Sequence, residues 1–151
     1  MNIRTIEARD LEALRAVVAD TALFPPDMLD AMLASFLDDP TTAVWLCAAD
    51  RTDLIAFAFA APEPLTQGTW NMQALGVRSD RRRAGAATAV VRKVEREVAG
   101  RGARMLIVDT SGAPEFEAAR AFYPAIGYDS EARIRDYWSA GDDKVVFRRV
   151  L

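Results

Sequence analysis

The chain has 151 residues, 51% of them hydrophobic and 27% charged, with a net charge of −3 and an isoelectric point near 5.0. Those values suit one folded domain spanning residues 1–151 and exclude an intrinsically disordered chain. Histidine is absent, which removes Ser-His-Asp and Cys-His centres and the commonest metal ligand, so no metal is expected. The single Cys47 lies in an apolar run, TAVWLCAA, and reads as a buried thiol. No charged-then-apolar leader opens the chain, and no run approaches the ~20 apolar residues of a membrane span. The expectation is a soluble, cytoplasmic protein. A mildly acidic body also argues against a general nucleic-acid binder.

In chain order, Ile3 to Glu7 reads as a strand, and Asp10 as the N-cap of a helix carrying Leu11, Leu14, Val17 and Val18. Pro25 and Pro26 break the chain, with Pro26 suited to a first helical position. The helix that follows places Met28, Leu29, Met32, Leu33, Phe36 and Leu37 on one side and ends before Pro40. Thr42 to Ala49 and Leu54 to Ala61 are apolar strand-length runs joined by a polar DRTD tip, a predicted β-hairpin. A PEPLTQG loop leads to a strand around Thr69 to Val77. An amphipathic helix follows, with Ala87, Val90, Val91, Val94 and Val98 on one face and an end near Gly100 and Gly102. Met105 to Asp109 reads as a buried strand. Pro114 suits the first turn of a helix bearing Phe116, Ala119, Phe122 and Tyr123. Arg133 to Trp138 and Lys144 to Leu151 are predicted as two closing strands about a turn at AGDD. The order β-α-α-β-β-β-α-β-α-β-β makes an α/β domain with a mixed sheet.

The segment between the fourth strand and the third helix carries the chemistry. Arg78, Arg81, Arg82 and Arg83 precede a helix N-terminus, which already bears about half a positive elementary charge and four unpaired N–H groups. Arginines there either splay into water or gather around an anion, and a phosphate would satisfy both the cations and the N–H groups. Gly85 lacks the partners of a P-loop and of a dinucleotide-binding Gly-x-Gly-x-x-Gly. What remains is Arg82-Arg83-Ala84-Gly85-Ala86-Ala87, whose small residues let backbone N–H groups approach a pyrophosphate.

The succession strand, Arg-x-x-Gly-x-Ala, helix, strand, helix with Ala119-Arg-Ala-Phe-Tyr123, then Gly127-Tyr128 resembles the GNAT superfamily of acetyl-CoA-dependent acyltransferases. The resemblance covers nearly the whole chain. Ile3 to Val18 is similar to the family's opening strand and helix, Leu75 to Ala87 to its cofactor motif, and Phe122 to Tyr128 to its aromatic-x3-Gly-aromatic motif. The closing RIRDYWSAGDDKVVFRRVL resembles the last two strands of bacterial members. The resemblance implies a mixed, mostly antiparallel sheet of six to seven strands with about four helices. It also implies acetyl-CoA as co-substrate, lying between two splayed parallel strands at Thr69–Val77 and Met105–Asp109. Leu75 and Val77 would then meet the pantetheine arm, while Arg82, Arg83, Gly85, Ala86, Ala87 and Thr88 cradle the pyrophosphate. Arg78 or Arg81 would reach the 3′-phosphate or stay solvated.

By the same resemblance Tyr123 is the group that meets the departing thiolate; read without it, Tyr123 is an ordinary amphipathic-helix aromatic. Pro124, directly after it, is expected to kink or end the helix at Tyr123. The family's glutamate on the strand before the cofactor motif is missing. Asn71 and Gln73 stand there instead and can orient water but not accept a proton at neutral pH. Asp109 is the carboxylate left to act as base, or else a helix cap or turn residue. Trp45, Trp70 and Trp138 line an acceptor pocket or pack on the sheet. Asp136, Asp142 and Asp143 attract an amine or form a solvated turn. The functional expectation is an N-acetyltransferase moving the acetyl group of acetyl-CoA to a primary amine by direct attack in a ternary complex. The alternatives are a non-catalytic acetyl-CoA or CoA sensor and an anion-sensitive nucleic-acid binder. A homodimer through the last strands would accord with the family.

Overall fold

In the computed structural model, which describes residues 1–151, seven strands form one sheet in the order β1-β2-β3-β4-β5-β7-β6. The strands are β1 (Asn2–Thr5), β2 (Val44–Asp50), β3 (Asp53–Pro62), β4 (Thr69–Val77), β5 (Met105–Ser111), β6 (Asp129–Ser139) and β7 (Asp142–Val150). Four helices accompany them: α1 (Leu11–Thr21), α2 (Leu29–Asp38), α3 (Ala86–Gly100) and α4 (Glu117–Ala125). Every neighbouring pair is antiparallel except β4 and β5.

Alternation along the inner strands sends successive side chains to opposite faces and so divides the interior in two. On β2, Val44, Leu46 and Ala48 join the core beneath α3, while Trp45 and Cys47 join the core beneath α1 and α2. The first core holds Val90, Val91, Val94 and Val98 of α3, and the second Leu14, Val17 and Val18 of α1 with Leu29, Leu33 and Phe36 of α2. Of the six apolar residues expected on the inner side of α2, Met28 and Leu37 are exposed instead. Met28 belongs to a single 3-10 turn, Pro26–Met28, whose tighter winding carries it out of phase with the α-helix.

Asp10 is the N-cap residue of α1 as expected, but its side chain makes no capping hydrogen bond to that helix. It sits in a 3-10 turn ahead of the helix, where its carboxylate accepts the Glu7 amide at 2.8 Å and a bidentate pair from Arg4 at 2.7 and 2.8 Å. Those hydrogen bonds, the one from Arg4 above all, hold the carboxyl well below the usual carboxylate range despite its burial. Cys47 is buried, and burial pushes its thiol up to about 11. Pro124 does not end α4 at Tyr123, because the helix runs on to Ala125 with the proline inside its last turn.

The C-terminal part is built differently. The core under α1 and α2 takes no residue from β5, β6 or β7, and β6 is exposed along its whole length. The hairpin turn is confined to Ala140 and Gly141, so Asp142 and Asp143 belong to β7 rather than to a solvated turn. Asp143 accepts the Asp136 amide at 3.0 Å and pairs with Arg133 at 2.6 Å. The Asp136 carboxylate in turn accepts the Gly141 amide at 2.7 Å. These carboxylates therefore fasten the hairpin tip.

Candidate active site

Two irregularities open a gap in the middle of the sheet. Phe59 pairs with Ala74 and Ala60 with Met72, which leaves Gln73 as an unpaired bulge in β4. The extra residue reverses the phase, so Trp70 and Met72 face α3 before it and Leu75 and Val77 face α3 after it. Second, the parallel ladder between β4 and β5 runs from Thr69–Met105 to Met72–Val108 and stops. Beyond that point β4 stays with β3 while β5 stays with β7, pairing Ser111 with Lys144. The Arg78 amide donates to the Ile55 carbonyl at 2.8 Å, which fixes the alternation of this antiparallel pair. Residues 74 and 76 therefore turn their peptide groups to β3, and Leu75 and Val77 turn theirs to the gap. Gly76 is required for a separate reason: a Cβ there would stand 2.6 Å from the Phe57 ring.

At the far end of β4 the chain enters the arginine segment. Arg78 is held bidentately by Asp80 at 3.0 and 2.7 Å, and Arg81 meets Asp50 at 3.2 Å and Asp53 at 3.8 Å. Asp20 of α1 accepts the Ser79 amide and hydroxyl at 2.7 and 3.0 Å, and these bonds depress its pKa. Neither Arg78 nor Arg81 is simply solvated, since local carboxylates neutralise both. Arg82 and Arg83 are exposed and have no ion-pair partner.

Arg83 and Gly85 both take left-handed backbone angles, φ 64° and 81°. Such a turn gathers successive N–H groups into a concavity suited to an anion. Gly85 is the N-cap residue of α3 yet supplies no side-chain cap, and no acidic residue occupies the first turn. The N–H groups of Ala86, Ala87 and Thr88 thus have no helical partner, and a Cβ on Gly85 would meet nothing within 4 Å. Free donors, two unpaired guanidinium groups and open space lie together.

On the β5–β7 side of the opening, Tyr123 lies on α4, which packs against β6 and β7. It is 4% exposed, stacked on Phe147 at 5.3 Å and edge-on to Tyr128 at 5.6 Å. Its hydroxyl has no protein partner, and burial alone raises its pKa. Its main chain is clamped instead. The Tyr123 carbonyl accepts the Ile126 and Tyr128 amides at 3.2 and 3.0 Å, and the Ile126 carbonyl accepts from Arg92 at 2.7 Å and Arg149 at 2.9 Å. Glu95, buried on α3, binds Arg92 at 2.8 Å and the Tyr128 hydroxyl at 2.9 Å. Glu95 and Arg149 were invisible as site residues in the sequence, where Glu95 reads as one more charge on a helix.

On the sheet face opposite Tyr123, Asp109 lies just past the last β4–β5 pair. Its Oδ2 accepts from Asn71 Nδ2 at 2.8 Å and pairs with Lys144 Nζ at 3.3 Å. Asn71 Nδ2 also donates to Glu63 Oε1 at 2.7 Å. Asp109 Oδ1 and Asn71 Oδ1 are buried without any partner. Asp109 is therefore neither a helix cap nor a turn residue but a strand carboxylate with one anchored and one free oxygen. Gln73, by contrast, is exposed at the bulge. Glu63 and Lys144 were not singled out from sequence. The available signal was lysine's rarity, since only Lys93 and Lys144 occur among 19 basic residues.

The tryptophans separate clearly. Trp45 is fully buried against Phe59 at 4.5 Å, Trp70 lies under Arg101, and Trp138 sits half-exposed on β6 with its Nε1 donating to the Thr110 carbonyl at 3.2 Å.

Residues 6–128 match the sequence profile described as the acetyltransferase (GNAT) family. Among solved structures, a GNAT-family acetyltransferase from Desulfovibrio desulfuricans is similar at 27% identity and TM-score 0.88, covering 99% of this chain and 98% of that one. A ribosomal-protein-alanine N-acetyltransferase from Brucella melitensis is similar at 17% identity and TM-score 0.82, covering all of both chains. An aminoglycoside 6′-N-acetyltransferase complexed with coenzyme A is similar at 17% identity and TM-score 0.81, covering 99% of this chain and 97% of that one. At 17% the likeness speaks to fold alone. No curated protein sequence matches the chain. No helix is long and apolar enough to cross a membrane.

Proposed function

This chain belongs to the GNAT family of acetyltransferases, and we propose that it moves the acetyl group of acetyl-CoA to a primary amine by direct attack in a ternary complex. The acceptor is a small molecule or an exposed protein amino group. The observation that carries the reading is the parting of β4 from β5 directly ahead of the uncapped α3. The residues present fit the cofactor. Leu75 and Val77 would hydrogen-bond the pantetheine arm through peptide groups that β3 leaves free. Arg82, Arg83, Gly85, Ala86, Ala87 and Thr88 would hold the pyrophosphate, combining two guanidinium charges with a helix N-terminus.

Bound acetyl-CoA supplies an acyl group activated as a thioester. The chain's own task is proton management. An alkylamine near pKa 10 is mostly protonated at neutral pH, so a base must take its proton before it can attack. Asp109 has the free Oδ1 for that task, while Asn71 and Lys144 hold its other oxygen in place. Tyr123 remains a neutral phenol because burial disfavours its anion, and its unpartnered hydroxyl can donate to a departing thiolate. The exposed edge strand β6 is where a second copy would pair in a homodimer.

A cofactor-binding sensor is the second reading, favoured by the lysine already paired with Asp109. Thiol release from acetyl-CoA with a panel of primary amines between pH 7 and 9 separates the two. Amine-dependent release is expected, whereas cofactor binding with no release under any amine would leave the sensor standing. Localisation in the cytoplasm belongs to the same proposal and is checked by fractionation.

A further inference from the structure

We propose that Lys144 is an internal acetyl acceptor: the protein acetylates its own Lys144. The inference rests on the placement of the acetyl group at the β4–β5 opening. Lys144 Nζ stands 3.3 Å from Asp109 Oδ2, its side chain is 17% exposed, and it lies 4.4 Å from the centre of the Tyr137 ring. An alkylammonium is thus already seated beside the carboxylate that would deprotonate an incoming alkylamine. Ser111, the β5 partner of Lys144 in register, flanks the stretch where β5 has left β4.

The residue type matters. The chain carries 19 basic residues, of which Lys93 and Lys144 are the lysines and the rest are arginines. A guanidinium stays charged at any accessible pH and would serve an ion pair with Asp109 at least as well. A lysine, on a flexible four-carbon stem, can become a neutral nucleophile. Two further acceptors point the same way. Asp109 Oδ1 and Asn71 Oδ1 are buried with no donor, and the Asn71 amide is committed to Glu63 and Asp109. The cluster has spare capacity to receive N–H groups and a proton.

The step balances. Lys144 Nζ gives a proton to Asp109, swings from the Tyr137 face and attacks the acetyl carbonyl carbon. The Nζ–C bond forms and the C–S bond breaks. Of the three ammonium protons one stays on the amide, one reaches the thiolate to give CoA–SH, and one passes from Asp109 to solvent. The product is a neutral acetyl-lysine, which removes the positive charge beside Asp109 and leaves Asn71 as its remaining anchor.

The test uses the purified full chain with acetyl-CoA and no added amine, followed by intact mass and peptide mapping. The expected result is one acetyl group per chain, on Lys144, at a rate independent of protein concentration. Proximity should make it roughly tenfold or more faster than at Lys93. Lys93, paired with Glu97 on the surface of α3, reports the purely chemical background. Lys144→Arg should abolish the modification and leave CoA affinity unchanged.

A second readout needs no turnover. In limited labelling with acetic anhydride, saturating CoA should slow modification of Lys144 and not of Lys93. Equal labelling of the two lysines, acetylation that rises with protein concentration, or no CoA protection of Lys144 would each overturn the inference. If amines are turned over while Lys144 stays unmodified, the internal acceptor is lost and the transferase stands. If CoA does not bind at all, both are lost.

Discussion

The two halves of the sheet are built to different rules. From β2 to β4 each strand is covered on both faces, by α3 on one side and by α1 with α2 on the other. Beyond the β4–β5 opening, β5 and β7 contribute Leu106, Val108, Val145 and Phe147 to one core only, and β6 contributes none. The doubly covered half holds β4 in place while its outer edge beyond Met72 stays unpaired. The singly covered half can afford polar residues on its open face, and Asp109 and Lys144 stand there. An opening in a sheet survives only if each lip is fixed from behind, and here the lips are fixed by different partners, β3 and β7.

The contrast is tested most severely in the cores. Phe57, fully buried between Trp45 and Phe24, should cost about 3–5 kcal/mol when cut to alanine. Ile134→Thr on β6, where the residue is 47% exposed, should change stability by no more than about 0.5 kcal/mol. Paired denaturant melts decide this, and comparable losses would mean that the C-terminal half is as tightly packed as the other.

Next in size is Gly85→Glu at the lip. The Cβ has room, but glutamate would adopt an unfavourable φ of 81° and bring a carboxylate to the proposed anion cradle. Acetyl-CoA affinity should fall roughly a hundredfold or more. Calorimetric titration of a folded variant with unchanged affinity would remove the pyrophosphate assignment. Tyr123→Phe reports on the other lip. Its hydroxyl has no protein partner, so melting should hardly shift, while kcat falls roughly tenfold or more at constant CoA affinity. Wild-type kcat in that variant would return Tyr123 to core packing.

The smallest effect concerns acid stability of the covered half. Asp10 is depressed in the folded protein, chiefly by Arg4. Its stabilisation is complete above the unfolded carboxyl value of about 3.9 and is lost as pH falls through the lower folded value. Asp10→Asn should therefore lose stability at neutral pH and show a shallower decline below pH of about 4. Melts across that range measure it, and parallel acid profiles for the two proteins would show that the pair contributes nothing.

Sequence alone determined the elements and their order, because periodicity and breakers are local properties of a chain. The valines of α3, the apolar runs of β2 and β3, and the glycine ahead of a helix were all legible, and the residues of the proposed anion cradle are contiguous. Local signals erred where a neighbour in space outbid them. Arg4 engages the Asp10 carboxylate, which stands at the N-cap position of α1 without capping it, Asp80, Asp50 and Asp53 pair with two of the four arginines, and α4 continues past Pro124 to Ala125. Only the tertiary structure decided the remainder. Glu95 joins Tyr128 across 33 positions, and Asn71 joins Asp109 across 38. No periodicity encodes such pairs. They exist because a bulge at Gln73 and a ladder that ends at Met72 bring distant side chains to the edges of one gap.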